Sequence, residues 1–267
     1  SVRYRDDSDN LTPRFTLSWQ PLDSTTYYLN VSEGTKPPDF NARVPNKAPN
    51  TPDESYRFVK EESAWNYEIG SRLNLWNGRL LLKSALYYIE SQDKQIYVGP
   101  IGLQVIRNAG EAVSKGLELE ATVKPTNRLT LTANANFGRS EFTDFIDPLS
   151  AVNYNGKQVP YAPDVTANLF GRYVIDQTFT PIDIALTGAA HYFSQVYFNE
   201  ANTLGQGEYA TYDVGVEFLI PKGPTFRLFA QNLTDVVYRT NSFAFSGQVL
   251  STIGQGRLIG ASGRWQF

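Results

Sequence analysis

The sequence predicts an all-β fold, an antiparallel transmembrane β-barrel meander of about eleven strands. Three observations predict it. Apolar residues alternate with polar ones in segment after segment, which is the period of a strand with one apolar face. Short and long connections between these segments follow each other in strict order. The last segment ends on an aromatic residue, Phe267, with Trp265 two positions before it.

The first four segments carry bulky apolar residues at every second position. In Trp65–Leu75, for example, tryptophan, tyrosine, isoleucine and leucine alternate with asparagine, glutamate and arginine. One face of such a strand suits lipid and the other suits water. These predicted strands are Leu11–Gln20, Thr26–Ser32, Trp65–Leu75 and Leu80–Glu90.

The remaining seven segments keep the same period. In Gly116–Val123, leucine, alanine and valine face one way while Glu118, Glu120 and Thr122 face the other. Phe226–Asn232 is less polarised, because Phe229 falls among the polar positions. No segment shows sustained helical spacing. These predicted strands are Gly116–Val123, Leu129–Phe137, Val165–Tyr173, Ile182–Tyr192, Tyr212–Phe218, Phe226–Asn232 and Arg257–Phe267.

The connections alternate between short and long. The short ones, at 20–24, 76–78, 124–127, 174–181 and 221–224, are mostly punctuated by glycine, proline or asparagine, as tight turns are. The long ones span 34–64, 91–115, 138–161, 193–208 and 234–256. Bacterial barrels have short periplasmic turns and long extracellular loops, so this order favours an outer-membrane barrel. A soluble carbohydrate-binding β-protein is the alternative outside the membrane.

The composition excludes other classes. No apolar run approaches the ~18 residues of a membrane-spanning helix. Cysteine is absent, which excludes disulfides, thiolate metal sites and cysteine nucleophiles. The net charge of −3 gives no indication of nucleic-acid binding. Methionine is absent even at position 1, so we expect the chain to follow a removed signal peptide or to be a fragment.

Four motifs, in this order along the chain, resemble elements of the TonB-dependent outer-membrane receptors. Together with the terminal aromatic residue they cover most of the chain, and the ordered set is far more specific than any one of them. The motifs are Tyr28 with 32–38 and Phe40-Asn41, then 108–110 with 114–120, then 160–163, and finally 232–235 with Tyr238.

The resemblance implies a barrel of about 22 strands closed by an N-terminal plug, in the outer membrane of a Gram-negative bacterium. Such receptors bind a scarce solute, often a ferric siderophore, cobalamin or a glycan, and import it with force from the TonB complex. For this chain we expect a ferric siderophore or a similar iron chelate. They are not enzymes and have no resident cofactor, although the transported ligand can contain iron. A passive porin or structural barrel is the alternative function.

The chain departs from that family pattern because no plug and no TonB box are visible in it. Counting eleven strands back from a periplasmic C-terminus places the N-terminus outside the cell. We therefore expect the C-terminal half of the barrel, with 1–10 as an external loop remnant and 11–267 as strands, loops and turns. The expected partners are the lipid bilayer, a small-molecule ligand, TonB through the missing N-terminal part, and the barrel assembly machinery. Trp265 and Phe267 would be the insertion signal that this machinery reads.

Candidate ligand residues lie in the long loops, where recognition usually resides on barrels. Basic side chains there would attract an anionic ferric chelate, and aromatic rings would stack on it. The alternative is that these loops are merely solvated. The candidates are Arg43, Lys47, Arg57, Lys60, Tyr97, Tyr154 and Phe198.

A second set is predicted to face the barrel lumen and the plug, because its members fall between the apolar positions of their strands. His191 is the only histidine, so it cannot build a multi-histidine metal site, and its inner position argues against an outer-face lipase. Glu118 and Glu120 are spaced like an acid–base pair, but we favour a polar lumen wall. The set is Glu68, Arg72, Lys83, Glu118, Glu120, Arg172, His191, Arg227 and Arg264.

Overall fold

A computed structural model describes residues 9–49, 51–98, 104–147, 150–175 and 182–265. Within these ranges the chain forms one eleven-stranded antiparallel sheet in which every strand pairs with its neighbours along the chain. The all-β meander of eleven strands is therefore confirmed, and the sheet leaves β1 and β11 as open edges. The strands are β1 (Arg14–Leu22), β2 (Thr25–Lys36), β3 (Glu62–Leu75), β4 (Leu80–Val98), β5 (Val105–Val123), β6 (Leu129–Asp144), β7 (Val165–Ile175), β8 (Asp183–Phe193), β9 (Tyr209–Leu219), β10 (Thr225–Gln231) and β11 (Leu258–Arg264).

The strand registers give the sheet one apolar face and one polar face. Leu29 of β2 pairs with Ile69, and Ile69 pairs in turn with Leu86. Ile69 is 57% exposed and Leu86 56% exposed, although both are large aliphatic residues. A continuous exposed apolar surface of this kind is abnormal in water and is the surface that a barrel turns towards lipid.

Several strands run further than their alternation predicts. The segment 91–115 was predicted as a long connection, but β4 continues to Val98 and β5 begins at Val105, with pairing up to Val98↔Val105. The prediction was wrong because apolar alternation marks only the part of a strand that has one buried face. β1 differs the other way and begins at Arg14, just after Pro13. Of the connection 174–181, residues 176–181 lie outside the described residues.

The long connections gather at one end of the sheet, and we name them loops 1 to 5 in chain order. Loop 1 is 37–61, loop 2 joins Val98 to Val105, loop 3 is 145–164, loop 4 is 194–208 and loop 5 is 232–257. Residue 50 of loop 1, residues 99–103 of loop 2 and residues 148–149 of loop 3 lie outside the described residues. Loop 5 contains a hairpin of Arg239–Phe245 with Gln248–Ile253. A small hydrophobic core lies where β5 and β6 meet loop 3, and consists of Val105, Ala112, Phe142 and Phe145. No helix in the described ranges is long and apolar enough to cross a membrane.

Aromatic rings cover glycines on the polar face. The hydroxyl of Tyr87 lies over both Gly116 and Gly138, where a Cβ atom would come within 2.6 Å and 2.4 Å of it. The ring of Tyr28 covers Gly70 in the same way, and the ring of Phe229 covers Gly260. Such pairs protect a glycine-rich strand while leaving room for sheet curvature.

Candidate functional site

The polar face of the sheet brings the predicted lumen residues together. Arg72 pairs with Lys83, which pairs with Glu120, and the same face continues through Asn134, Asn168 and His191 to the later strands. The registers thus place side chains that are distant in sequence on one wall. All nine predicted residues lie on this face: Glu68, Arg72, Lys83, Glu118, Glu120, Arg172, His191, Arg227 and Arg264.

Part of this wall balances its own charge. Lys83 Nζ lies 2.9 Å from Glu120 Oε1, and Arg172 donates from Nε and Nη2 to Glu217 Oε2 at 3.1 and 3.0 Å. These side chains are between a fifth and a half exposed, so each pair contributes little to stability. They nonetheless fix where positive and negative groups stand on the wall.

His191 lies in a hydrogen-bonded group on the same wall. Its Nδ1 is 2.6 Å from Asn168 Oδ1, and its Nε2 is 3.6 Å from Asp213 Oδ2. Within the described part of the chain, no group of three or more His, Asp and Glu side chains is placed to hold a metal ion. The histidine is therefore a polar wall residue with one amide and one carboxylate neighbour.

A polar concavity of about 290 Å³ opens on this wall between β2 and β7, lined in part by Tyr28, Lys83, Glu118 and Asn136. Tyr28 donates its hydroxyl proton to Glu68 at 2.6 Å, and Tyr87 donates to Asn136 at 3.2 Å. Hydroxyl, amide, ammonium and carboxylate groups thus stand side by side. The concavity therefore offers several hydrogen-bonding and charged partners to a polar group.

Loop 1 is fastened to β5 by one buried asparagine. Asn41 donates from Nδ2 to the carbonyls of Tyr56 and Ile106 at 2.7 and 2.9 Å, and its Oδ1 accepts the Ile106 N–H at 2.8 Å. The guanidinium of Arg107 lies 4.2 Å above the Tyr56 ring, a cation–π contact that supports the same junction.

Asn108 and Gln95 add a second fastening of loop 1. Asn108 accepts the Lys60 N–H at 2.8 Å and donates to the carbonyls of Lys60 and Asp93. Gln95 donates to the Pro37 carbonyl at 2.8 Å. Residues of two separate sequence motifs, 32–41 and 108–110, therefore meet at one place. Their function in the loop was missed from sequence, because side-chain bonds to loop carbonyls have no periodic signature.

Replacing Asn41 by alanine is expected to free loop 1. The change leaves buried backbone groups of Tyr56 and Ile106 without partners, which costs about 1–3 kcal/mol each when buried. Limited proteolysis of intact cells should then cleave within 42–55 at least tenfold faster, by the same energy scale. The exposed Asn46 replaced by alanine is the matched control. Equal cleavage rates for Asn41→Ala and the unmodified protein would show that other contacts hold the loop.

Tyr161 joins loops 3, 4 and 5. Its N–H donates to the Tyr197 carbonyl at 2.9 Å, its ring lies 5.5 Å from that of Phe198, and its hydroxyl donates to Asn241 at 2.7 Å. Its φ of +62° is unusual for a bulky residue. Contacts with loops 4 and 5 hold this residue of loop 3 in that backbone conformation. The residue therefore fixes how the three loops are arranged.

The same junction favours neutral side chains. Burial raises the pKa of the Glu200 carboxyl, and the negative charge of Asp147 raises it further. Burial likewise raises the pKa of the Tyr154 and Tyr161 phenols. The three groups thus share a partly desolvated space between loops 3 and 4.

The structure places the predicted ligand residues that it describes in different surroundings. Arg43 and Tyr97 are exposed, and Lys60 is exposed with its ammonium 3.8 Å from Asp93. The side chain of Lys47 lies outside the described part of the chain. These positions remain predictions as ligand contacts. Tyr97, which was predicted in a long loop, lies in β4, because that strand continues to Val98.

The other three predicted ligand residues are used inside the loops. Arg57 donates to the carbonyls of Asn41 and Ala42 and to the carboxylate of Glu54. Tyr154 packs 5.3 Å from Phe145, and Phe198 is only 8% exposed. Their packing favours a structural role, because a side chain surrounded by its own protein offers little surface to a ligand.

Loop 5 is fastened by Asn232, which belongs to the motif 232–235. Its Oδ1 accepts the Val236 N–H at 2.9 Å, and its Nδ2 donates to the carbonyls of Val236 and Gln255 at 2.9 and 3.1 Å. Its backbone N–H donates to Asp213 Oδ1 at 2.9 Å. The side chain is 5% exposed, so one residue closes both ends of the loop.

Three aromatic rings stack where β8 and β9 meet loop 5. The Phe193 and Tyr209 rings are 5.2 Å apart at 16°, and the Tyr209 and Tyr238 rings are 4.4 Å apart at 13°. Phe193 and Tyr209 are a register pair two positions beyond His191 and Thr211, so they belong to the polar face. Sequence reasoning missed this stack, since Tyr238 joins it from a loop.

The C-terminal residues are only partly described. Trp265 directly follows β11 and is 62% exposed. Phe267 lies outside the described residues. Their function as an insertion signal remains a prediction.

Comparison with known proteins gives these features a context. A family profile described as TonB dependent receptor-like, beta-barrel matches residues 1–233. The chain is 28% identical over 98% of its length to the pesticin receptor of Yersinia enterocolitica serotype O:8, and spans 37% of that protein.

Solved structures agree with the fold. The ferric yersiniabactin uptake receptor FyuA of Yersinia pestis matches 95% of this chain at a TM-score of 0.79 and 27% identity, over 37% of its own length. The siderophore receptor PiuA of Acinetobacter baumannii matches 94% of it at a TM-score of 0.71 and 22% identity, over 34% of its own length. The chain thus spans little more than a third of these relatives. It belongs to the TonB-dependent receptor-like β-barrel family, whose members are β-barrels of the Gram-negative outer membrane.

Proposed function

We propose that the protein carrying this chain binds a ferric siderophore or a similar iron chelate outside the cell and imports it in a TonB-dependent way. The observation that carries the proposal is the eleven-stranded sheet, with its lipid-suited face, polar wall and interlocked loops, which matches a ferric yersiniabactin uptake receptor over nearly all of this chain. Receptors of other solutes share the fold, so the choice of an iron chelate is supported by the siderophores of the matching relatives and not by the fold.

In this proposal the chain supplies about half of the barrel wall. The polar wall, from Glu68 to Arg264, faces the lumen and a plug contributed by another part of the protein. Loops 1 to 5 capture the chelate, with Arg43 and Lys60 at the surface of loop 1 and Tyr97 near the loop end of β4. No bond chemistry is required of the chain, and iron is cargo rather than a resident cofactor.

The partners follow from the same proposal. The apolar face contacts the bilayer, because its exposed leucines and isoleucines would otherwise meet water. The N-terminal part of the protein contacts TonB. The barrel assembly machinery engages β11, with Trp265 and Phe267 as its terminal aromatic residues.

The proposal predicts iron uptake that depends on energy from TonB. Deleting the gene should lower accumulation of ⁵⁵Fe from at least one ferric siderophore at least tenfold in iron-starved cells. Deleting the gene for TonB should lower it equally, since a TonB-coupled receptor releases its cargo only when energised. A plasmid copy should restore uptake.

Two outcomes would contradict this function. Uptake that persists without TonB and rises in proportion to chelate concentration would indicate a passive porin. Unchanged accumulation of every ferric chelate on deletion of the gene would mean that iron chelates are not its cargo. Recovery of the protein in the outer-membrane fraction is the control for both measurements.

A further inference from the structure

We propose that the stacked rings of Phe193, Tyr209 and Tyr238 form a platform for an aryl ring of the imported chelate. This inference rests on the proposed function and names its substrate class. It predicts a preference for ferric phenolates or catecholates over aliphatic hydroxamates, because in the first two the oxygens that bind iron are carried on aryl rings.

The first support is the geometry of the stack. Its rings come from β8, β9 and loop 5 and lie within 16° of parallel, with centroid spacings of 5.2 and 4.4 Å. Offset parallel stacking is a preferred arrangement of aromatic pairs. A further flat ring that stacked on Phe193 would extend the same arrangement.

The second support is the position of the stack. Phe193 and Tyr209 are half-buried and belong to the polar face, where their neighbours two residues away are His191 and Thr211. A partly exposed phenyl ring on a water-facing wall gains free energy when apolar surface covers it. The stack also lies at the loop end of the sheet, where a solute from outside arrives first.

The third support is what lies at the two ends of the stack. A Cβ atom on Gly254 would lie 2.2 Å from Tyr238 Cε2, so the backbone of loop 5 already covers that end. Phe193 is the opposite end. Its register partner is Thr166, which pairs with Asn136. A hydroxyl and an amide therefore lie beside the place where a ring would add, and they could donate hydrogen bonds to phenolate oxygens.

The test compares two probes in iron-starved cells that carry the full-length protein. These are a ferric catecholate and a ferric trihydroxamate, of which only the first has aryl rings. Phe193→Leu and Tyr209→Leu remove a ring but keep an apolar side chain. Each should weaken binding of the ferric catecholate by roughly tenfold, the scale of one lost aromatic stack, while Phe193→Trp should retain it.

Tyr192→Leu is the matched control, because Tyr192 is the preceding aromatic residue on the opposite face, bonded to Glu208 at 2.7 Å. It should leave binding unchanged. Loss of folded protein with Phe193→Leu, normal binding of the catecholate by both leucine variants, or uptake of the trihydroxamate alone by the unmodified protein would each overturn the platform. Failure of the unmodified protein to take up any ferric chelate would instead contradict the proposed function itself.

Discussion

Replacing Gly138 by alanine is expected to impair barrel assembly, and removing the Tyr87 hydroxyl is expected to restore much of it. A Cβ atom at position 138 would lie 2.4 Å from the Tyr87 hydroxyl, while the nearest backbone atom, the Lys115 carbonyl oxygen, is 3.2 Å away. Overpacking of this kind costs about 1–3 kcal/mol. Tyr87→Phe removes the clashing atom at the cost of one hydrogen bond to Asn136.

Gly116 provides the contrast. A Cβ atom there would lie 2.6 Å from the Phe137 carbonyl oxygen and 2.8 Å from the Gly138 Cα atom. Because backbone cannot move aside, Gly116→Ala should be more severe and should not be rescued by Tyr87→Phe. The measurement is the fraction of full-length protein that runs as a heat-modifiable folded form, with its urea midpoint.

Gly188→Ala is the control for both substitutions, since nothing lies closer than 3.9 Å to its Cβ position. It should assemble like the unmodified protein. Rescue of Gly116→Ala by Tyr87→Phe, or no rescue of Gly138→Ala, would show that ring-over-glycine packing does not decide assembly here.

Replacing Asn232 by alanine is expected to release loop 5 and destabilise the loop end of the sheet. The change removes three side-chain hydrogen bonds and leaves an alanine at a φ of +45°. Unsatisfied buried groups cost about 1–3 kcal/mol each, and a non-glycine residue at such a φ adds to this. Together these give an expected loss of about 2–4 kcal/mol.

Chymotrypsin should therefore cut loop 5 at its phenylalanines, Phe243 and Phe245, at least tenfold faster in Asn232→Ala. Asn232→Gly relieves the backbone strain but does not restore the hydrogen bonds. Its cleavage rate should therefore fall between those of the unmodified protein and Asn232→Ala. Leu233→Ala, at a neighbouring exposed side chain, is the control. Identical rates for the alanine and glycine variants would mean that the φ angle contributes nothing, and rates like the unmodified protein would reject Asn232 as the fastening.

The strands and their two faces could be predicted from the sequence because lipid imposes a rule on every second residue. Leu29, Ile69 and Leu86 meet that rule on strands far apart in sequence, and their registers bring them onto one face. The alternation of connections was predictable in part, since an antiparallel meander with different environments at its two rims tolerates long loops at one rim only. The predicted connection 91–115 was the exception, because most of it is paired strand in β4 and β5.

The loop contacts could not be predicted in this way. Asn41, Asn108 and Asn232 act through backbone carbonyls and N–H groups, and any side chain with an amide could do so. The motifs that contain these asparagines indicated a family but did not indicate that the side chains bind the loops. Arg57 was expected to be available to a ligand, but Glu54, three residues earlier, and two nearby carbonyls take its donors.

The paired strands β4 and β5 are each 19 residues long, so at about 3.3 Å per residue they extend roughly 60 Å. A barrel strand needs only about 9–11 tilted residues to cross the hydrocarbon. Nearly half of this strand pair must then extend beyond the bilayer as a rigid two-stranded ribbon, with loop 1 hydrogen-bonded to its side. The height at which a solute first meets the protein is consequently set by backbone pairing and not by loop length. Lengthening or shortening this part of β4 and β5 by one register pair would raise or lower the entrance by about 2–3 Å at the usual tilt of barrel strands, without altering the pore beneath.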